Sequence, residues 1–315
     1  MTPEALRARI DDAPVLLDGG LATQLESVGR DISGSLWSAT VLRDDPLAVR
    51  DAHLAFLKVG ADVIITASYQ VSRRGLVAAG GTAAEADSLL ARSVELALEA
   101  RESFPQALVA ASVGPYGATN HDGSEYRGRY GLSRRDLADF HRERLGVLVA
   151  AGADLLAIET IPDLDEVEAL VEALEDVPGV AAWLSMTTPD GTVLSAGQPL
   201  AEAAQVVAGC SSVVAVGVNC SAPRTVGLAL SALAEPWALA GGVGGPALLA
   251  YPNAGQLWES TTETWSGPLS PVPAATDVDS WLSAGARLLG GCCGVRPTDI
   301  AVLGALMGRS GWHSD

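Results

Sequence analysis

Lysine is nearly absent from this chain: in 315 residues there is one, Lys58, set in a helical pattern just before Gly60 rather than at a strand end. A Schiff-base aldolase mechanism needs a lysine amine in its site and is excluded. Positive charge is scarce altogether, with 20 Lys and Arg against 38 Asp and Glu, a net charge of -18. Such a surface opposes binding to phosphate backbones, so no nucleic-acid partner is expected. No apolar run approaches the roughly 18 residues that span a bilayer, so no membrane association is expected either. The amino terminus lacks a basic segment followed by an apolar one, and Asp11-Asp12 interrupts the only candidate, which reads as a cytoplasmic protein. Nucleotide fingerprints are missing too. There is no P-loop, and Gly241-Gly242-Val243-Gly244-Gly245 lacks a strand-to-helix context and reads as a flexible turn. Four cysteines, two of them adjacent, are no disulfide framework; a reducing compartment with thiolate chemistry fits better, with Cys210 a buried structural thiol. His53 and His141 fall in helical patterns and His313 in the tail, so none is placed as a base or metal ligand.

What is present is an alternation of apolar strands and helical patterns along the whole chain. Strands are expected at Val15 to Leu17, Val63 to Thr66, Ala107 to Val113, Leu155 to Ile158, Val180 to Met186, Val213 to Val218, Pro246 to Tyr251 and Ala286 to Leu289. Helices are expected near Leu47 to Val59, from Thr82 to about Ser103, after Ser133, after Asp163, from Pro199 to near Gly209, from Pro223 to Leu233 and after Pro297. Capping boxes at Thr82-Ala83-Ala84-Glu85, Ser133-Arg134-Arg135-Asp136 and Asp163 to Glu166 mark three of the starts. Near-continuous apolar strands point to burial on both faces and to a single-domain (β/α)8 TIM barrel over residues 1–315. An open doubly wound sheet is the competing architecture, but suggestive residues follow nearly every strand, which suits a closed ring of loops. Two long connections, Gly114 to Leu132 and Pro252 to about Asp279, both follow strands and should overhang the mouth. Tyr116, Tyr126 and Tyr130 make the first a possible aromatic lid, or surface aromatics packed on the rim.

The most informative run is Gly290-Gly291-Cys292-Cys293-Gly294, placed where the eighth strand becomes a loop. Adjacent side chains on a strand point to opposite faces, so both sulfurs reach one metal only if the backbone turns there, which the flanking glycines allow. Cys220 ends the sixth strand, 72 and 73 residues away, too far for a finger or ribbon. Closure of a barrel brings the two strand ends together. Three thiolates then leave a fourth tetrahedral position open, as in a catalytic zinc site. A vicinal disulfide and buried inert thiols remain open alternatives.

Asp18 and Glu159, at the ends of the first and fourth strands, place two carboxylates at the mouth. They suit a glycosidase pair, recognition of a substrate ammonium, or merely a helix cap and a solvated acid. Gly19 and Gly20 favour recognition, because backbone N–H groups without a Cβ come close to a ligand carboxylate. Thr66-Ala67-Ser68-Tyr69-Gln70 offers hydroxyls and an amide to orient a small polar substrate, or ordinary turn chemistry.

These residues, with Ser112-Val113-Gly114-Pro115-Tyr116-Gly117, Glu159-Thr160, Gly217-Val218-Asn219-Cys220 and Tyr251-Pro252-Asn253-Ala254-Gly255, make the chain resemble the homocysteine S-methyltransferases over nearly its whole length. The resemblance implies that Cys220, Cys292 and Cys293 bind Zn2+, that Asp18 and Glu159 hold the homocysteine ammonium, and that Gly19, Ser68 and Asn219 join the substrate site. It implies no catalytic residue beyond the zinc-activated substrate thiolate. The partners implied are homocysteine and a sulfonium donor, S-methylmethionine ahead of S-adenosylmethionine, with betaine third. A non-catalytic barrel that binds zinc or an amino acid is the alternative reading.

Overall fold

The computed structural model describes residues 1–32, 38–120, 122–239, 245–255, 257–259, 264–267 and 269–309. All eight expected strands form: β1 (Val15–Leu16), β2 (Val63–Ile65), β3 (Leu108–Val113), β4 (Leu155–Ile161), β5 (Ala181–Met186), β6 (Val213–Asn219), β7 (Ala247–Tyr251) and, last in the chain, β10 (Ala286–Leu289). Between the last two lies an antiparallel hairpin of β8 (Leu257–Glu259) and β9 (Thr264–Ser266). The eight long-range neighbours are all parallel, in the order β1-β10-β7-β6-β5-β4-β3-β2. A bridge from Leu17 to Val63 joins the two ends, so the sheet is a closed barrel and the open-sheet alternative falls.

Strand periodicity divides the core in two. Leu108 and Ala110, Leu155 and Ala157, Ala181 and Trp183, Ala215, Leu249 and Leu288 fill the barrel interior, while their neighbours Val109, Leu156, Ala182, Leu184 and Val216 pack outward against the helices. An N-terminal helix, Pro3–Asp12, capped by Thr2, sends Leu6 and Ile10 into the interior cluster. Only three of its residues are buried, so its apolar stripe is too short to stand out in the sequence, where it was not expected. Arg7 donates to the carbonyl of Val213 at the start of β6 (3.2 Å) and Met1 to that of Asp154 (2.5 Å), which places this helix at the N-terminal end of the strands.

The capping boxes at Thr82 and Ser133 form as expected. The one at Asp163 does not. Asp163 caps the helix Leu164–Leu174, but Glu166 is fully buried and accepts instead from the Tyr116 N–H (2.6 Å), the Tyr130 hydroxyl (3.1 Å) and His141 Nε2 (3.0 Å). A local motif thus gives way to an anchor for the connection after β3. That connection carries two 3-10 turns, Tyr116–Thr119 and Ser124–Tyr126, and the one after β7 carries the hairpin and the helix Ala275–Ser283. Buried Arg144 donates to the carbonyls of Gly114 (2.8 Å) and Tyr69 (2.8 Å), tying the loops after β2 and β3 together. Gly241 to Gly244 and His313 lie outside the described residues.

Candidate metal and substrate site

Along the inward face of the strands, the apolar interior ends in polar residues at the C-terminal rim. Ser112 follows Leu108 and Ala110 at a spacing of two, Glu159 follows Leu155 and Ala157, Ser185 follows Ala181 and Trp183, and Tyr251 follows Leu249. A polar group buried there needs a partner. The Ser112 hydroxyl donates to the Glu159 carboxylate, and the Trp183 indole donates to the Tyr251 hydroxyl (3.1 Å), which lies 2.5 Å from Ser185 Oγ. The sequence reading did not single out Ser112 or Tyr251 as site residues; a lone serine or tyrosine in an otherwise apolar strand is the signal that could have found them.

Barrel closure brings together the thiols at the ends of β6 and β10. Cys220 Sγ lies 2.7 Å from Cys292 Sγ and 3.5 Å from Cys293 Sγ, and the adjacent pair are 4.0 Å apart. All three are free thiols, so a vicinal disulfide is not formed; Cys210 is elsewhere, packed against the outer core. Sulfurs on one tetrahedral zinc at ~2.3 Å stand ~3.8 Å apart, so two of the three separations are near that value and the third must open by about 1 Å. No His or carboxylate joins the group among the described residues, which leaves a fourth coordination position to a ligand. Hydrogen bonding from the Cys292 and Cys293 thiols, and then from the Tyr126 hydroxyl (3.7 Å), pulls Cys220 well below an ordinary thiol. Cys292 and Cys293 are pushed up because they donate to it.

The backbone reaches this arrangement by a route different from the expected one. Cys220 itself takes a left-handed conformation (φ 46°), while of the glycines around the pair only Gly294 does (φ 82°). Gly290 and Gly291 serve close packing: a Cβ on Gly290 would lie 2.6 Å from Leu17 Cβ, and one on Gly291 2.3 Å from Val295. The segment after β7 pins both ends. The Cys220 N–H donates to Tyr251 O (3.3 Å), Cys292 N–H to Pro252 O (2.9 Å), and Ala254 N–H to Cys293 O (2.8 Å).

Asp18 and Glu159 are both buried. Asp18 is no helix cap; Gly20 occupies that position before Leu21–Ser27, and Asp18 Oδ2 accepts from the Ile65 N–H (2.8 Å). Its Oδ1 has no partner among the described residues. Burial, with the nearby Glu159 charge, raises Asp18 well above the usual carboxylate range. Burial and the Cys220 charge lift Glu159 to about 7, against the hydrogen bonds from Ser112 and Tyr251. Two buried carboxylates that resist sharing two negative charges call for a cation.

The remaining expected residues are placed as follows. A Cβ on Gly19 would meet Val295 O at 2.7 Å and one on Gly20 would meet Cys292 O at 2.7 Å, so protein packing alone demands both glycines, and the Gly20 N–H already donates to Val295 O (2.9 Å). Ser68 is buried, donating to Ser112 O (2.7 Å) beside Thr66 Oγ1 (2.7 Å). Asn219, equally buried, bonds Thr160 and Ser185. Of the three loop tyrosines only Tyr126 reaches the thiols; Tyr116 and Tyr130 pack on each other and beside Leu137 at the rim. On the same turn as Tyr126, Glu125 escaped the sequence reading, for nothing in its local pattern sets it apart from a solvated acid.

A closed barrel with convergent thiols and cation-seeking carboxylates at its C-terminal mouth belongs to the α/β-barrel enzymes that can hold a metal ion at the site of chemistry. The family model described as homocysteine S-methyltransferase matches residues 15–307. The homocysteine S-methyltransferase of Escherichia coli (strain K12) is 44% identical, covering 95% of this chain and 97% of its own, and that of Bacillus subtilis (strain 168) is 38% identical over 92% and 93%. The crystal structure of the E. coli homocysteine methyltransferase MmuM in its metallated form matches with a TM-score of 0.83 at 44% identity, over 95% of this chain and 99% of that one. The chain belongs to the homocysteine S-methyltransferase family, and its reaction is methyl transfer to homocysteine. The glycosidase and non-catalytic readings end here. Among the described residues no helix is long and apolar enough to cross a membrane.

Proposed function

We propose that the enzyme moves a methyl group from a small sulfonium donor, S-methylmethionine before S-adenosylmethionine, to the sulfur of homocysteine, with zinc held by Cys220, Cys292 and Cys293. The observation that carries this reading is the convergence of three free thiols, with no fourth protein ligand among the described residues, beside an unpartnered buried carboxylate oxygen on Asp18. Zinc bound there supplies a thiolate form of homocysteine at neutral pH, because coordination deprotonates a thiol.

Asp18 and Glu159 take the homocysteine ammonium, which relieves the charge conflict between them. Ser112 and Tyr251 orient Glu159; Gly19, Ser68 and Asn219 act through the scaffold that places these groups. The homocysteine sulfur then forms its bond to the methyl carbon as the donor carbon–sulfur bond breaks, and that electron pair stays on the donor sulfur. An anion and a cation become two neutral thioethers. Charge disperses on the way, so a mouth shielded from water favours the step, and alignment of sulfur with methyl supplies much of the remaining acceleration.

A donor panel tests the proposal: zinc-loaded protein with homocysteine and S-methylmethionine, S-adenosylmethionine or betaine, with methionine measured. Rapid turnover with betaine and none with either sulfonium would reverse the donor assignment. Full activity of metal-free protein would remove zinc.

A further inference from the structure

Glu125 lies in the turn Ser124–Tyr126 of the loop after β3, whose Tyr126 hydroxyl reaches Cys220 (3.7 Å). The turn is held firmly: Ser124 Oγ donates to Gly117 O (3.3 Å), and a Cβ on Gly117 would lie 2.5 Å from the Glu125 nitrogen, so the two halves of the loop are packed backbone to backbone. Glu125 Oε2 is buried and has no hydrogen-bond partner among the described residues. Arg127 acts on it only through space, as the weakest of the influences on the group. Arg127 is directed to Asp122 (3.7 Å), and buried Arg144 to main-chain carbonyls. The carboxylate is close enough to feel the Cys220 charge, and burial lifts it to about 7. A carboxylate oxygen buried near the Cys220 thiol, with no hydrogen-bonded counter-charge among the described residues, is an incomplete site, and a cationic ligand completes it.

We infer that Glu125 is the anionic partner of the methyl donor, pairing with a positive group of the sulfonium substrate where it lies against the thiols. The inference rests on the sulfonium reading above. Homocysteine brings one cation to the mouth and has Asp18 and Glu159 on the barrel wall. The donor brings its own, and Glu125 is the carboxylate that the loop adds.

The test is steady-state kinetics of zinc-loaded Glu125→Gln with two donors. S-methylmethionine has both sulfonium and ammonium; dimethylsulfonioacetate has the sulfonium and no ammonium. The KM for S-methylmethionine should rise about 10-fold or more, since a charge-assisted contact is lost, with kcat changed little. The KM for homocysteine and the zinc content should match wild type. An equal rise with both donors assigns the contact to the sulfonium, and a rise confined to S-methylmethionine assigns it to the ammonium. Glu125→Asp, which keeps the charge, should recover part of the donor affinity. Unchanged donor KM in Glu125→Gln overturns the inference, as does equal impairment toward homocysteine and donor in both variants. Wild-type protein inactive with either sulfonium compound overturns the donor reading itself, a distinct result.

Discussion

Asn219 holds Thr160 by both backbone and side chain: its Oδ1 accepts from the Thr160 N–H at 2.7 Å and its Nδ2 donates to Thr160 Oγ1 at 2.9 Å. Thr160 has φ 65°, a conformation that a β-branched residue adopts only under constraint, and the β4–β5 register shifts between Ile158 and Ile161. Glu159 precedes that residue and Cys220 follows Asn219, so one carboxamide sets the carboxylate at the end of β4 relative to the thiol at the end of β6.

Asn219→Ala should therefore cost more than its size suggests. It strands a buried N–H and frees a strained residue, an expected loss of about 1–3 kcal/mol in stability. Homocysteine KM should rise as well, because Glu159 loses its aim. Urea unfolding and kinetics measure the two effects; a variant with normal values for both would show that Thr160 holds its conformation unaided.

Replacing Cys220, Cys292 or Cys293 by alanine should abolish stoichiometric zinc, expected at about one per chain, together with methyl transfer. The fold should persist, since the barrel packs its own interior without the metal. Metal analysis beside circular dichroism checks this. Retained zinc and activity in any one of the three would remove that residue from the centre.

Glu159→Gln keeps shape and removes charge, weakening a contact worth roughly 1.5–3 kcal/mol, or about 10- to 150-fold in homocysteine affinity. A simple thiol without an amino group should be far less affected as acceptor, with zinc retained. Equal loss with both thiols at normal homocysteine binding would place Glu159 in the chemistry.

His53 gives a pH dependence of stability. It is fully buried, neither ring nitrogen has a partner among the described residues, and burial lowers its pKa to about 4. Folding favours the neutral ring, so its contribution is complete above the unfolded pKa near 6.5 and is lost as pH falls toward 4, by an amount on the order of 3 kcal/mol. Asp18 and Glu159, raised in the folded state, act with the opposite sign. The difference between wild type and His53→Leu isolates the histidine. Urea midpoints at pH 7 and 4.5 should diverge less in the variant, and parallel behaviour would mean that His53 is solvated.

Periodicity and punctuation in the sequence determined the barrel. Strand runs such as Leu155 to Ile158 must be buried on both faces, and capping boxes at Thr82 and Ser133 are local hydrogen bonds whose partners lie three residues apart. The cysteines and strand-end carboxylates were legible for a related reason: a (β/α)8 chain brings every strand end to one rim, so residue type at that position suffices. What a side chain bonds across the barrel was not legible. Glu166 looks like the last member of a capping box and is turned inward to Tyr116, Tyr130 and His141; Asn219 reads as a substrate residue, and nothing in its local sequence shows that it also clamps Thr160. Glu125 looks like a solvated acid and has a buried, unpartnered oxygen. Those outcomes depend on which groups remain unsatisfied once distant segments meet. Hydrogen-bond satisfaction is a property of the packed whole, so only the tertiary structure decided it.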